Sequence, residues 1–158
     1  MIQHYDAKSF TSGKSIGYLV KLAHLLMHER ATEAFSGHDL TFQQWIALVK
    51  IGEAGEPATA TDLCRMLRHD TGALTRMLDQ LEERGYLIRE RSREDRRVVH
   101  LRLTAAGRSK ATELTPIIVD RLNSALAGFN KSEFAELTRL LQKLVDTLDS
   151  DAAAGEKK

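Results

Sequence analysis

The stretch RERSREDRRVVHLRLT, Arg89 to Thr104, holds six arginines around one acidic pair, Glu94 and Asp95. Four of them, Arg91, Arg93, Arg96 and Arg97, crowd a single polar turn. A guanidinium is always charged and offers a planar fork of donors that matches phosphate oxygens and guanine edges. The chemistry on offer is therefore recognition of a polyanion rather than bond making. Asp95 stands two residues before Arg97, where its carboxylate would hold that guanidinium by a charge-assisted bond. Ordering a free arginine costs up to ~2 kcal/mol of side-chain entropy, which such a bond would offset. A solvated hairpin whose charges deter edge-to-edge aggregation is the plainer alternative.

Immediately upstream lies TATDLCRMLRHDTGALTRMLDQLEER, Thr59 to Arg84. Leu63, Leu67, Leu74, Leu78 and Leu81 form one apolar face across two helices joined by a tight turn. Thr71, Gly72, Thr75, Arg76 and Asp79 project together from the other face of the second helix. Small residues let a backbone approach a groove closely, and a helix N-terminus attracts phosphate. Arg76 is the best placed of these for a guanine edge. An ordinary amphipathic helix with a polar face fits the same residues. Charge supports the binding reading: residues 61–110 carry twelve Lys/Arg against eight Asp/Glu, while the whole chain is only +1. A local basic region is the footprint of a polyanion binder.

Other reactive residues are sparse. Lys21, His24, Met27, His28 and Trp45, with Arg68, would suit an aromatic anion, because such a ligand needs an apolar slot and one or two donors. Core packing of Trp45 and Met27 is the competing account. His24 and His28 share one helical face at a spacing that can chelate a metal, but no Cys/His cluster supplies further ligands, and no metal or cofactor is expected. Cys64, the single cysteine, rules out an internal disulfide. Buried, it would be an inert small hydrophobe; exposed beside Arg65 and Arg68, it would be a redox-active thiol. No nucleophile–base pair, phosphate loop or paired-carboxylate site stands out, so an enzyme is not expected.

The elements that must position these groups are mainly helical. Apolar residues recur at helical spacing over 15–36, including Ile16, Leu19 and Met27. Thr41 caps a second helix with Phe42, Trp45, Ile46, Val49 and Ile51 inward, broken by the glycines and proline at 52–57. Thr59 and Asp70 cap the next two helices, and Gly85 ends the second as its C′ residue. The period then changes from 3.6 to 2: Tyr86-Leu87-Ile88 opens one strand, and Val99, Leu101 and Leu103 line one face of another. Thr104 opens a helix in which Pro116 should produce a kink. A final helix from Lys131 carries Phe134, Leu137, Leu141, Leu144 and Leu148 at coiled-coil spacing.

In order and content, the segment TDLCRMLRHDTGALTRMLDQLEERGYLIRERSREDRRVVHLRLTAAG resembles the core of the MarR family of multiple antibiotic resistance regulators. The resemblance rests on Leu81-Glu82, Gly85, Asp95-Arg96-Arg97 and the run Leu103 to Gly107, and it is clearest over residues 41–110. It implies a winged helix-turn-helix protein, mainly α with a small β-hairpin wing. It further implies a homodimer that binds double-stranded operator DNA, often as a repressor, and loses affinity on binding a small aromatic or phenolic ligand. On that model Thr71, Thr75 and Arg76 belong to the recognition helix, and Asp95 and Arg97 to the wing tip. Residues 1–36 and 110–150 would form a helical dimerisation region, through Ile16, Leu19 and the seam from Phe134 to Leu148. Residues 37–109 would bind DNA, and 151–158 would form a disordered tail. A protein-interaction module built on the same scaffold, or a thiol- or metal-responsive regulator of this fold, are the alternatives.

Composition is compatible with all of these. The chain has 158 residues, 42% hydrophobic and 28% charged, in the range of globular domains. No apolar run approaches the ~20 residues of a membrane span. The start, MIQHYDAKSFTSGK, lacks a basic segment followed by an apolar one, so no secretory signal and a cytoplasmic setting are expected.

Overall fold

The computed structural model describes residues 3–55, 58–68, 70–92, 94–95 and 97–155, with side chains described through residue 150. A short 3-10 turn, Ser12–Lys14, leads into helix α1 (Ile16–Ala34). Helix α2 (Phe42–Glu53), strand β1 (Ala58–Thr59), helix α3 (Ala60–Leu67) and helix α4 (Thr71–Glu83) follow. Strands β2 (Leu87–Arg91) and β3 (Val99–Leu103) form the hairpin, and helices α5 (Ala105–Ala125) and α6 (Lys131–Gly155) complete the chain. The residues fall into two compact units, one up to Arg121 and one from Leu122 onward.

Helix starts follow the caps read from the sequence. The Thr41 hydroxyl accepts the Gln44 N–H, and Gln44 returns a bond to the Thr41 amide, a complete capping box. Thr59 accepts the Asp62 N–H and Asp70 accepts the Ala73 N–H, satisfying amides that have no partner within their helices. Helix α4 ends at Gly85, whose φ of +72° is the left-handed conformation that lets Tyr86 N–H bond back to Leu81 C=O.

The wing is a three-stranded antiparallel sheet rather than a bare hairpin. Its order is β1-β3-β2, with Ala58 opposite Leu101 and Arg89 opposite Leu101 on the other side. Two residues are too few to show a period, which is why β1 escaped the pattern. Leu87, Leu101 and Leu103 face inward and join Leu48, Ile51, Leu63, Leu74, Leu78 and Leu81 in one core. In α2, Trp45 and Ile51 are buried as expected and Phe42, Ile46 and Val49 pack at the margin of the core, while Ala47 and Leu48 are wholly buried beside them.

The same core takes in Ala31 and Ala34 from α1 and Ala111, Leu114 and Ile118 from α5. Both helices assigned on sequence grounds to a separate dimerisation region therefore anchor the winged unit. Gly107 makes that anchoring possible: a Cβ there would sit 1.9 Å from the Tyr86 carbonyl oxygen. Thr104 reinforces the approach, donating its hydroxyl to Gly85 C=O and its amide to Tyr86 C=O. The Leu-Thr-x-x-Gly run thus closes the base of the wing onto α5.

In the second unit, Asn130 caps α6, its side chain accepting the amides of Ser132 and Glu133. Helix α6 continues to Gly155, into the segment expected as a disordered tail, and 156–158 lie outside the described residues.

Candidate nucleic-acid interface

Helix α4 shows its polar face to solvent over its first two turns. Thr71, Gly72, Thr75 and Arg76 are all exposed, while Leu74, Leu78 and Leu81 fasten the opposite face to the core. The Thr75 hydroxyl donates to Thr71 C=O at 2.8 Å, leaving its oxygen lone pair and methyl as the groups it offers outward. Asp70 is held below the ordinary carboxylate range, first by the Ala73 amide, then by the Gly72 amide and the charge of Arg76. Its carboxylate stays ionised and keeps the helix start formed.

The turn into α4 passes through Arg68, which adopts the left-handed conformation at φ +52°. That places Arg68 on the α3–α4 turn, a different element from the histidines with which it was grouped.

The wing tip is organised by its own side chains. Ser92 N–H donates to Val98 C=O at 2.9 Å, and the Ser92 hydroxyl accepts the amides of Glu94 and Asp95. The Asp95 carboxylate accepts the backbone N–H of Arg97 at 2.9 Å, not a bond from its guanidinium as the sequence suggested. A short acid two residues ahead of an amide closes an Asx turn more readily than it reaches a long flexible side chain. Asp95 therefore shapes the loop that presents Arg97, and Arg97 and Arg91 are exposed. Arg93 and Arg96, named with them from the sequence, lie outside the described residues.

The remaining two arginines of the opening stretch are structural. Arg102 pairs with Glu90 across the sheet at 3.0 Å. Arg89, which sequence reasoning left out of the site, reaches α4, where its guanidinium meets Asp79, Glu82 at 3.1 Å and Thr75 C=O at 3.2 Å. Asp79 therefore engages the wing, while its side chain remains 48% exposed beside the outward-facing residues with which its spacing groups it. A signal for this was present: Arg89 is two residues beyond buried Leu87, so it points to the same side of the sheet as the core.

The candidate ligand residues divide. His28 Nε2 lies 2.9 Å from the Gln43 side-chain nitrogen, and its ring stands edge-on to Phe42 at 5.9 Å. His24 is 5.9 Å from His28, so the two do share one face. Trp45 stacks on Phe42, packs beside Phe35, and donates its indole N–H to Ala111 C=O at 3.0 Å. Its donor is thus used internally and its ring is core. Lys21 and Met27 are exposed on α1. Cys64 is half-buried. Among the described residues no group of three or more His, Cys, Asp or Glu is placed to hold a metal ion, and no helix is long and apolar enough to cross a membrane.

Apolar side chains of the terminal helices are unburied in the single chain. Ile16, Leu19, Phe134, Leu141 and Leu148 are exposed, and Leu137 and Leu144 are half-buried. Single exposed apolar residues are ordinary; here they form a row at the spacing of a coiled-coil seam.

Comparison with known proteins agrees with this geometry. The model of the MarR family matches residues 38–98, which span α2 to the wing. Wild-type apo MarR from Escherichia coli is similar at 29% identity and a TM-score of 0.72, covering 82% of this chain and 96% of its own. A mutant of the same protein, solved in complex with operator DNA, is 29% identical with a TM-score of 0.74, covering 86% and 99%. BpsR from Bordetella bronchiseptica, whose DNA binding is regulated by 6-hydroxynicotinic acid, shares the fold with a TM-score of 0.77 at 22% identity, covering 87% and 97%.

Proposed function

Because the chain belongs to the MarR family of winged-helix DNA-binding transcriptional regulators, and not to a family of enzymes, we propose that it acts as a homodimeric repressor on a pseudo-palindromic operator in the cytoplasm. The carrying observation is the pairing of an exposed α4 start, with Thr71, Thr75 and Arg76, and a wing turn on the same unit in which Asp95 accepts the Arg97 amide and Arg97 is exposed. Each α4 enters a major groove, with Arg76 at a guanine edge and Gly72 allowing close approach. Each wing places Arg97, with Arg91, Arg93 and Arg96 close to it in the sequence, against the adjacent narrow minor groove, where negative potential is strongest. A two-fold dimer through α1 and α6 sets the half-sites about 10 bp apart. Residues 1–36 and 110–150 supply that contact, and Ala31, Ala34, Ala111, Leu114 and Ile118 among them also belong to the core of the winged unit.

A small aromatic acid is the regulating ligand in this reading. His24 and His28, with Lys21 near them in the chain, supply donors beside the Phe42 edge, and Met27 supplies apolar surface. Occupancy there biases the arrangement of the two winged units and so their joint fit to DNA. The similarity to BpsR supports an aromatic acid of this class.

Fluorescence anisotropy against a duplex from upstream of the protein's own gene tests the reading, with an unrelated duplex as control. Expected are selective binding that weakens steeply with salt and release by one member of a panel of hydroxybenzoic and hydroxynicotinic acids. Equal, weak binding to every duplex overturns the operator assignment. Selective binding that no acid alters overturns the ligand assignment alone.

A further inference from the structure

We infer that Arg89 is a positioning residue that locks the wing to the recognition helix, so that α4 and the wing read DNA as one rigid head. The inference rests on the proposed DNA-binding role of these two elements and adds the device that couples them.

The chain passes from α4 to β2 through the turn at Gly85. Leu87, Leu101 and Leu103 fix the base of the hairpin in the core, and β1 pairs with β3 beside them. Arg89 adds a polar tie from the hairpin to α4 on the side toward the wing tip. Its guanidinium touches Thr75 C=O, Asp79 and Glu82, successive contacts four and three residues apart along α4. Its own amide donates to the second oxygen of Glu82 at 3.0 Å. Backbone and side chain of one strand residue are thus both fastened to one helix.

The fastening differs in kind from a surface ion pair. The Arg89 side chain is only 25% exposed. Two carboxylates and a carbonyl share its fork, and a planar, pre-organised group loses less entropy in such a contact than an ammonium would. Exposed single pairs contribute little, but half-buried networks of this form hold geometry.

Its position also matters. Arg89 lies opposite Leu101 at the middle of the hairpin, and Arg91 and Val99 come next toward the tip. Arg91 is two residues further along the same strand face, about 7 Å on at the strand rise. Any rotation left free at Arg89 grows toward Asp95 and Arg97. Thr75, whose carbonyl receives the guanidinium, is itself on the exposed reading face, so the tie joins the two reading surfaces directly.

Three variants, Arg89→Ala, Arg89→Lys and Asp79→Asn, each with and without Arg97→Ala, test this. Two readouts are needed: anisotropy on the duplex that the wild type selects, and hydrogen exchange of backbone amides without DNA. Arg89→Ala is expected to weaken binding about tenfold, a coupling-sized effect. Adding Arg97→Ala should then cost much less than it does in the wild type, because an unlocked wing no longer delivers Arg97. Arg89→Lys, which keeps the charge but not the fork, should fall between. Without DNA, amides of residues 87–103 should exchange faster in Arg89→Ala while those of α2 stay unchanged. Wing exchange at the wild-type rate, or full additivity of the Arg89 and Arg97 losses, overturns the inference. So does loosening of α2 in both Arg89 variants, which would make Arg89 a general stabiliser. The exchange readout stands even if no duplex is bound, so failure of the DNA-binding proposal is separable from failure of this one.

Discussion

Leu101, at the centre of the wing sheet, is fully buried, whereas Leu148 on α6 is 59% exposed. Both are leucines placed by regular periodicity, one of period 2 and one of alternating threes and fours. The winged unit supplies its own neighbours: five helices and three strands converge on one core. The outer parts of α1 and α6 carry apolar rows that the single chain leaves in water. A leucine facing its own core contributes to folding, and one facing solvent contributes only when a second surface arrives. In the proposed dimer, stability and assembly are written in different segments with the same side chains.

Gly107→Ala should give the largest effect. Its Cβ would collide with the Tyr86 backbone, so we expect a loss of about 3 kcal/mol or more in denaturant unfolding. Wild-type stability in that variant would break the claim that the winged unit closes onto α5 at this point. Leu101→Ala should cost about 2–5 kcal/mol by the same measurement, as core truncations do. By contrast, Leu141→Asp with Leu148→Asp should leave the winged unit folded by circular dichroism yet halve the mass seen in sedimentation. If the double variant unfolds the whole chain, the separation between self-sufficient unit and assembly surface is wrong.

Smaller effects sharpen the comparison inside the winged unit. Arg76→Ala should cost about 1–3 kcal/mol at one operator position, leaving thermal unfolding unchanged. An equal loss for every sequence would make Arg76 a phosphate contact. Smallest is the acid-side effect of Asp39, in the loop before α2. Its carboxyl is held below its usual value of 3.8, first by the Tyr86 hydroxyl and then by Lys110. A depressed carboxyl stabilises the fold above its unfolded pKa, and that contribution disappears as pH falls through the folded value. Wild type should therefore exceed Asp39→Asn in thermal midpoint at neutral pH, with the gap closing below about pH 4.

Much of the winged unit was legible in the sequence because its signals are local. Thr41, Thr59 and Asp70 bond to amides two or three residues away, and Gly85 meets a backbone requirement of its own turn. The change of period at Tyr86 located the strands. The site was legible in part. Thr71, Thr75, Arg76 and Arg97 are exposed as their spacing implied. The contact between Asp79 and Arg89 was not legible, because their meeting depends on how a strand lies across a helix. Asp95 was placed correctly but bonds to an amide, since chain geometry decides which of two nearby donors it reaches.

Periodicity and composition alone establish the main helices, their caps, the faces of the hairpin strands and the concentration of positive charge in residues 61–110. Each follows from periodicity or from interactions spanning a few residues, which need no knowledge of distant neighbours. Packing is what brings β1 into the sheet, turns the Trp45 N–H to Ala111 C=O and sets Arg89 against α4. A side chain's partner is set by which surfaces packing brings within about 3 Å. That proximity is a property of the assembled core and is not encoded in any one stretch of chain.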